Sequence, residues 1–523
     1  MFPAKAGGSF MNKKRMIINL FASLVSFGVS MGISFFLTPY LTEVLGTEAY
    51  GYIGLANNFV SYASIVTVAL NSMAGRFITI EIHRGNQQKA DEYFNSILLS
   101  NVFLSIVISF VSLIMILNIQ SLLNISDALV VDVQITFAIV FLNFVFTMVT
   151  AVFTVAPFAR NRLDVQAVRT ILGNIIKLIV TLALIMYMPP RIFYISIGVL
   201  VCSVSMAGAD IFLTKKMLPE TKVNLRHFSF QAVKEVLSAG IWNSLSSLSN
   251  VLLKGLDLLL ANIFISEMAM GMLSVAKTMP TAIQTLIATV ASIFTPQFTI
   301  LYAKGKHKEL VGNVKYSIKV LSFLLTVPIA GFIVFGMDFY RLWLPGRTTE
   351  EILMIQILSV LTLLPNLFSA YIYSLYSINT VTNRLKIPVI VNMGFGVVSI
   401  LLVLILLQTT NLGIYVVVGV SGVMLILRVL FFVPVYAAHN LKEKLTVFYP
   451  PLLRAILGCG VIVILFYTAR NFLFQISSWG SLIIAACCCG AAGYALNFFL
   501  LLGRADRKRI YRKAASMLKG DAD

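Results

Sequence analysis

Long apolar runs recur along almost the whole chain, and they constrain its fold more than any other feature. From Met16 to Leu502, stretches of about 20 hydrophobic residues alternate with short polar breaks. An α-helix needs a run of that length to cross a membrane, whereas barrel strands alternate polar and apolar residues. The 523 residues are 59% hydrophobic and only 12% charged, which excludes a soluble globular protein. The sequence predicts an all-α polytopic membrane protein with about fourteen transmembrane helices.

Polar intervals divide the predicted spans into segments. The longest interval inside the helical region runs from Lys215 to Lys234 and separates two halves. We expect a cytoplasmic tail at 1-15, a six-helix bundle at 16-213, a cytoplasmic linker at 214-234, a second six-helix bundle at 235-438, helices 13 and 14 at 439-502, and a basic cytoplasmic tail at 503-523. Met1 and Met11 are both suitable starts of the chain.

A weak internal repeat supports this division. A shift of about 220 residues places residues 51–56 (Gly-Tyr-Ile-Gly-Leu-Ala) on residues 271–276 (Gly-Met-Leu-Ser-Val-Ala). The same shift places the loop Arg84-Gly85 on Lys304-Gly305 and a serine stripe of the first span on the polar stripe of the seventh. Transporters are commonly built from duplicated halves, so the pattern predicts two pseudo-symmetric six-helix bundles and two additional C-terminal helices.

The net charge of +19 follows the topology. With both termini placed in the cytoplasm, most of the 40 Lys and Arg lie on the cytoplasmic side, and four lie outside: Arg191, Arg341, Arg347 and Arg470. This bias accounts for the basic composition without a nucleic-acid partner, and the basic C-terminal tail suits anionic membrane lipids.

The five cysteines lie in apolar runs, with no other metal-ligating residues near them in the sequence. No cofactor is therefore predicted.

The hydrophobic stretch Ser238 to Lys277 carries charge where a lipid-facing helix carries none. Its polar residues are spaced by three, four and seven, which places them on one face of a helix: Asn243, Ser246, Ser247, Asn250, Lys254 and Asp257. A Lys or Asp near the bilayer centre costs roughly 2.5–3.5 kcal/mol, so Lys254 should face a cavity or a partner. Two interpretations stay open. Lys254 and Asp257 neutralise each other while Lys277 reaches outward, or the stripe lines a cationic, water-filled site for an anionic substrate.

The predicted charge at membrane depth is net positive. Five basic residues lie there, against Asp257 and, nearer the inner face, Asp210; the five are Arg76, Lys177, Lys254, Lys277 and Arg428. A carrier of organic cations would need acidic residues, so this pattern favours an anionic cargo such as a phosphate or pyrophosphate.

The sequence lacks the motifs of an enzyme site: paired carboxylates at an outer mouth, a phosphate-binding glycine loop and an H-E-x-x-H helix. Every loop is also short. We therefore predict that the protein is not an enzyme.

The N-terminal hundred residues resemble bacterial polysaccharide-biosynthesis flippases of the multidrug/oligosaccharidyl-lipid/polysaccharide exporter (MOP) superfamily. The resemblance is carried by the opening from Lys13 through Ser34, the glycine-containing segment 51–55, the helix end at 74–77 (Ala-Gly-Arg-Phe) and the loop 83–86 (His-Arg-Gly-Asn). It implies two bundles around a central cavity in a bacterial cytoplasmic membrane. The implied cargo is an undecaprenyl-pyrophosphate-linked oligosaccharide, moved from the inner to the outer leaflet by alternating access.

This resemblance, combined with the charge pattern, gives a predicted site. The predicted substrate-binding residues are Lys254, Lys277, Lys177, Arg428, Asn250 and Asn57. Asp257 is predicted to pair with a lysine or to carry a coupling ion, either H+ or Na+, and glycan polymerase machinery is a possible partner. A drug/cation antiporter of the same fold and a lipid II flippase are alternatives, as is a membrane-embedded glycan polymerase or ligase. The first span has no basic residues between Met16 and Pro39, which disfavours lipid II.

Overall fold

The computed structural model describes residues 13–160, 162–382 and 384–501, together with Gly503 and Arg507. The predicted tail at 1-15 lies outside the described residues except for its last three positions. The predicted tail at 503-523 lies outside them except for Gly503 and Arg507.

The described residues form α-helices joined by short turns. The helices are, in chain order, α1 (Lys13–Leu45), α2 (Thr47–His83), α3 (Gln87–Leu117), α4 (Ile119–Leu122), α5 (Val130–Thr150), α6 (Val155–Ala159), α7 (Leu163–Tyr187), α8 (Phe193–Met217), α9 (Phe230–Lys254), α10 (Asp257–Phe264), α11 (Glu267–Ser292), α12 (Thr295–Ala303), α13 (His307–Trp343), α14 (Thr349–Val381), α15 (Lys386–Thr409), α16 (Ile414–Leu427), α17 (Val433–Asn440), α18 (Tyr449–Phe472) and α19 (Trp479–Leu501). A π-helical segment, Arg428–Phe432, joins α16 to α17.

The number of spans agrees with the sequence. Among the described residues, 13 stretches are long and apolar enough to cross a membrane, and the bent pair α9 and α10 makes a fourteenth when it is counted as one span. The predicted breaks also fall between helices, as at residues 188–192 between α7 and α8. The all-α polytopic fold is therefore confirmed. The domain bounds and the cavity stay predictions.

The two loops that the repeat aligns have the same backbone structure. Gly85 after α2 and Gly305 after α12 both have positive φ, 74° and 68°. In each loop the next residue donates its backbone N–H to the carbonyl five positions earlier, from Asn86 to Glu81 and from Lys306 to Leu301. This is the glycine-dependent cap that satisfies the last carbonyl groups of a helix. The repeat seen in the sequence is therefore also a repeat of local structure.

The helices group into two compact units. The first contains the chain through Val251 and the short segment Ser266–Gly271. The second contains Leu252–Ile265 and the chain from Met272 onwards.

In the first unit, hydrogen bonds hold the polar linker against α3. The Asn95 side chain donates to the carbonyl of Lys222 and accepts from the backbone N–H of Asn224, both at 2.8 Å. Tyr93 donates its hydroxyl to the Glu235 carboxylate at 2.5 Å, which ties α3 to the beginning of α9. The linker is therefore a fixed part of this unit.

Glycines allow helices of the first unit to approach closely. A Cβ atom on Gly51 would lie 2.7 Å from the Cα of Gly271, so α2 and the first turn of α11 cross with almost no side chain between them. These are the two glycines that the repeat aligns. At a second crossing, a Cβ on Gly240 of α9 would overlap the carbonyl oxygen of Ala69 in α2. Ser244, one turn further along α9, accepts from the backbone N–H of Ala69 at 3.1 Å.

The second unit is built on α13 and α14. Their interface contains two buried polar contacts, Ser317 to Ser374 at 2.7 Å and Thr326 with Tyr371 at 2.8 Å. The last two helices pack against α13, where the Arg470 guanidinium donates to both oxygens of Asp338 at 2.6 and 3.0 Å. The two additional C-terminal helices are thus an integral part of this unit.

We predict that Gly240→Ala destabilises the protein. The added methyl group has no space beside Ala69, and overpacking of this kind costs about 1–3 kcal/mol. Thermal unfolding in detergent should show a midpoint lowered by several degrees. Gly208→Ala in α8 is the matched control, because no atom lies within 4 Å of the added group there. An unchanged midpoint for Gly240→Ala would show that the helices separate at no cost.

Candidate functional site

The polar stripe of the seventh span runs into a break in the helix. Helix α9 ends at Lys254, α10 begins at Asp257, and the two are bent by 41°. The prediction of one continuous helix face from Asn243 to Asp257 is therefore wrong at its end. Gly255 lies in the break, where the lower helix propensity of glycine favours an interruption. Lys254 and Asp257 consequently belong to two different helices.

Asp257 pairs with Lys277 and not with Lys254. The Lys277 ammonium donates to both carboxylate oxygens, at 2.7 and 2.6 Å. Asp257 is the first residue of α10, and its Oδ1 also accepts the backbone N–H of Leu258 at 2.9 Å. A carboxylate at a helix N-terminus is stabilised by the helix dipole, so Asp257 is held in place from two sides. The alternative in which Lys254 and Asp257 neutralise each other is not observed.

Lys254 lies beside these charges without a carboxylate of its own. Its side chain is exposed, and no described Asp or Glu is within ion-pair distance of it. The charges of Arg428, Lys277 and Asp257 all act on it. It borders a small cleft of the second unit together with Asp257 and the hydroxyl-bearing residues Ser399 and Ser421.

Arg428 is buried, with only 6% of its surface exposed, and its partners are neutral. Its guanidinium donates to Asn392 Oδ1 of α15 at 2.5 Å and to the Tyr376 hydroxyl of α14 at 3.0 Å. It also lies over the Tyr376 ring, 5.7 Å from the centroid. Its Nε has no partner among the described residues. Arg428 begins the π-helical segment, a backbone irregularity that is frequent at functional sites.

Together these four residues, Lys254, Lys277, Arg428 and Asp257, form what we call the cationic cluster. It carries three positive charges and one negative charge. Lys277 is about ten residues, or about 15 Å, from the Glu267 end of its helix, and Arg428 is about 21 Å from the Ile414 end of α16. The first distance reaches the middle of a hydrocarbon layer about 30 Å thick, and Arg428 lies near the middle of its own span, Ile414–Asn440. Unbalanced cations at this depth are costly unless water or an anion compensates them, so the cluster is suited to an anionic ligand.

The other predicted site residues belong to the first unit. Lys177 of α7 is half-buried and has no carboxylate partner among the described residues. Asn57 is exposed and donates to the carbonyl of Ile53 in its own helix at 2.8 Å. Asn250, near the end of α9, is exposed. A substrate contact at these three positions stays a prediction.

The sequence reading missed one buried cation. Arg169 in α7 forms an ion pair with Asp210 in α8, and its side chain is only 12% exposed. Arg169 lies in the first two turns of its helix, where an arginine can extend to the surface, so its position in the sequence does not indicate burial. Gly173, one turn further along, faces Met206 and Cys202, which brings α7 and α8 close enough for the pair to form. No pattern of neighbouring residues signals this burial, because it depends on how closely α7 packs against α8.

The fold is similar to that of solved transporters of the MOP superfamily. The structure aligns with an inward-facing multidrug resistance MATE family transporter with a TM-score of 0.66 and 14% identity, over 82% of this chain and 98% of the other. It also aligns with the lipid II flippase MurJ in an inward closed conformation, with a TM-score of 0.68 and 16% identity, over 92% of this chain and 98% of the other. At these identities the likeness shows the fold alone.

Residues 17–302 match the family described as "Polysaccharide biosynthesis protein". The chain is also 29% identical to the uncharacterized membrane protein EpsK of Bacillus subtilis (strain 168) over 510 residues, which cover 97% of this chain and 99% of the relative. This chain therefore belongs to the polysaccharide biosynthesis protein family, as its N-terminal motifs suggested. It is a multi-pass membrane protein whose fold is that of the solved transporters named above.

We predict that Asp210→Asn lowers the thermal unfolding midpoint, because it leaves Arg169 buried without a counter-charge. Removal of one partner of a buried pair costs about 3–5 kcal/mol, whereas replacement of both with apolar residues is often neutral. The double variant Arg169→Met with Asp210→Leu should therefore recover most of the loss. Asp164→Asn, which breaks the exposed pair with Arg162 at the beginning of the same helix, is the control and should change little. Equal effects of Asp210→Asn and Asp164→Asn would contradict the prediction.

Proposed function

We propose that this protein is a flippase for an undecaprenyl-pyrophosphate-linked oligosaccharide. The cargo is a precursor of a capsule, O-antigen, exopolysaccharide or teichoic acid. It moves from the inner to the outer leaflet of a bacterial cytoplasmic membrane by alternating access, and its covalent structure does not change. The glycan is then available to polymerase machinery outside, and H+ or Na+ is the coupling ion.

The observation that carries this proposal is the net positive charge of the cationic cluster. Lys254 and Arg428 have no carboxylate partner among the described residues, and the cluster contains one carboxylate, Asp257, against three cations. A transporter of organic cations needs the opposite balance, so the cluster favours an anion. Pyrophosphate oxygens accept strong, charge-assisted hydrogen bonds from ammonium and guanidinium groups.

The cargo has an apolar part and a charged part, and the difference between them also supports a cationic site. The polyprenyl chain is apolar and stays in the hydrocarbon, since each buried CH2 contributes about 0.8 kcal/mol. Only the charged, hydrated headgroup meets a barrier. Cations in the protein offset the cost of removing that headgroup from bulk water.

The charge bias of the loops supports the orientation. We infer that both termini lie in the cytoplasm, because basic residues concentrate in the loops that this orientation places inside. Fusion of green fluorescent protein to the C-terminus should give fluorescent cells, and fusion of alkaline phosphatase at the same position should give no phosphatase activity. Phosphatase fused after Gly346 should be active. The reverse pattern would contradict the orientation and the direction of transport.

Lys254→Ala should reduce headgroup translocation by about 10- to 100-fold, because it removes one charge-assisted contact of about 1.5–3 kcal/mol. The assay follows a fluorescent undecaprenyl-pyrophosphate oligosaccharide in proteoliposomes. Lys254→Arg should keep part of the rate, and Lys308→Ala, at an exposed position in α13, should keep all of it. Lys277→Ala should also stop transport, but it leaves Asp257 without its ion-pair partner. The effect of Lys254→Ala is therefore easier to interpret.

Two outcomes would replace the proposal. Normal flipping by Lys254→Ala, with export of a cationic dye by the wild type, would show that the lysine is structural and favour a drug/cation antiporter. Translocation of lipid II but not of other lipid-linked oligosaccharides would favour a lipid II flippase.

A further inference from the structure

We propose that Asp257 is a built-in competitor of the anionic headgroup for Lys277. Its carboxylate holds the Lys277 ammonium in this structure. An arriving phosphate draws the ammonium away from the carboxylate, and re-formation of the pair assists release. This inference rests on the proposed function, since it assigns the carboxylate a role in the same site.

The geometry determines which partner of the pair moves. Asp257 is fixed at the first position of α10, where it also accepts the backbone N–H of Leu258. Lys277 comes from a different helix, α11, and has a flexible four-carbon stem. The ammonium can therefore exchange between the carboxylate and a phosphate while the carboxylate stays in place.

The charges around the Asp257–Lys277 pair indicate that Asp257 does more than neutralise Lys277. The charges of Asp257, Lys277 and Arg428 all act on Lys254. Neither Lys254 nor Arg428 has a carboxylate partner among the described residues. The buried one, Arg428, is held by the neutral groups of Asn392 and Tyr376. Two cations of the cluster thus lack a carboxylate partner among the described residues, and the third is paired with Asp257. When the Lys277 ammonium moves to the phosphate, a third cation contacts the anion, and the fixed Asp257 carboxylate remains as the group to which the ammonium returns.

The Asp257–Lys277 pair should also affect the rate of turnover. A site with three permanently open cations would hold a pyrophosphate strongly and release it slowly. A transport site must bind its cargo well enough to take it up and weakly enough to let it go. A carboxylate that returns to Lys277 compensates the ammonium at the moment the phosphate departs, and this lowers the barrier to release.

Binding and turnover, measured separately on the full-length protein, test the inference. The binding probe is farnesyl pyrophosphate, titrated calorimetrically into protein in detergent, with farnesol as the uncharged control. Asp257→Asn keeps the size of the side chain and should tighten binding by about tenfold, while flipping in proteoliposomes slows by about tenfold. Asp257→Glu restores a carboxylate and should restore turnover. The matched control is Asp338→Asn, another buried carboxylate of the second unit that is paired with an arginine, and it should leave farnesyl pyrophosphate affinity unchanged.

Difference infrared spectroscopy distinguishes exchange from a passive electrostatic effect. With isotope-labelled aspartate, farnesyl pyrophosphate should shift a carboxylate band in the wild type and in Asp338→Asn but not in Asp257→Asn. Absence of that shift in the wild type, or unchanged affinity and turnover in Asp257→Asn, overturns the inference. Loss of affinity together with turnover in Asp257→Asn makes the pair structural, and loss of only the dependence on an ion gradient makes Asp257 a coupling site. Both results overturn the competitor role.

The two proposals fail in different ways. If the wild type does not bind farnesyl pyrophosphate more tightly than farnesol, and Lys254→Ala changes nothing, the proposed function fails. If binding depends on Lys254 but not on Asp257, the proposed function stands and only the competitor role is lost.

Discussion

A charged side chain in a hydrocarbon layer must be paired, hydrated or bound to a ligand, and this constraint governs the most informative parts of the structure. The chain contains few charges for its length, so each one at membrane depth requires an explanation. Arg169 is paired with Asp210, and Lys277 is paired with Asp257. No carboxylate in the described part of the chain pairs with Lys254 or Arg428. Their excess charge makes the second unit a candidate binding surface.

The partners of each cation indicate what it does. A carboxylate neutralises a cation, whereas amide and hydroxyl groups orient it and leave its charge available. Arg428 has partners of the second kind, because Asn392 and Tyr376 hold the guanidinium from two neighbouring helices without removing its charge. The π-helical segment that begins at Arg428 changes the regular helical register at this point. Local backbone irregularity and unbalanced charge thus occur together, as they do at the break between Lys254 and Asp257.

Glycine has two different roles in the first unit and in the repeat. Gly85 and Gly305 supply the positive φ that the helix caps require, and the hydrogen-bond pattern is the same at both. Gly51, Gly271 and Gly240 instead permit helices to cross at distances that exclude any side chain. Small residues of this kind are used in membranes because packing, and not the hydrophobic effect, holds the helices together. The duplication is therefore visible in the caps and in the crossings.

Local properties of the sequence determined the fold class. Spans of about 20 apolar residues, the breaks between them, the glycine loops and the N-terminal family motifs each depend on neighbouring positions, so they could be predicted from the sequence. Lys254, Lys277 and Arg428 could also be proposed as site residues, because any charge inside an apolar run is conspicuous. Only the tertiary structure decided which charges meet. The sequence spacing favoured Lys254 with Asp257, but a break of two residues separated them and a different helix brought Lys277 to Asp257. Arg169 was missed because its burial depends on how closely α7 and α8 pack at Gly173. Pairing of charges is a long-range property, and it follows from helix packing that no local pattern encodes.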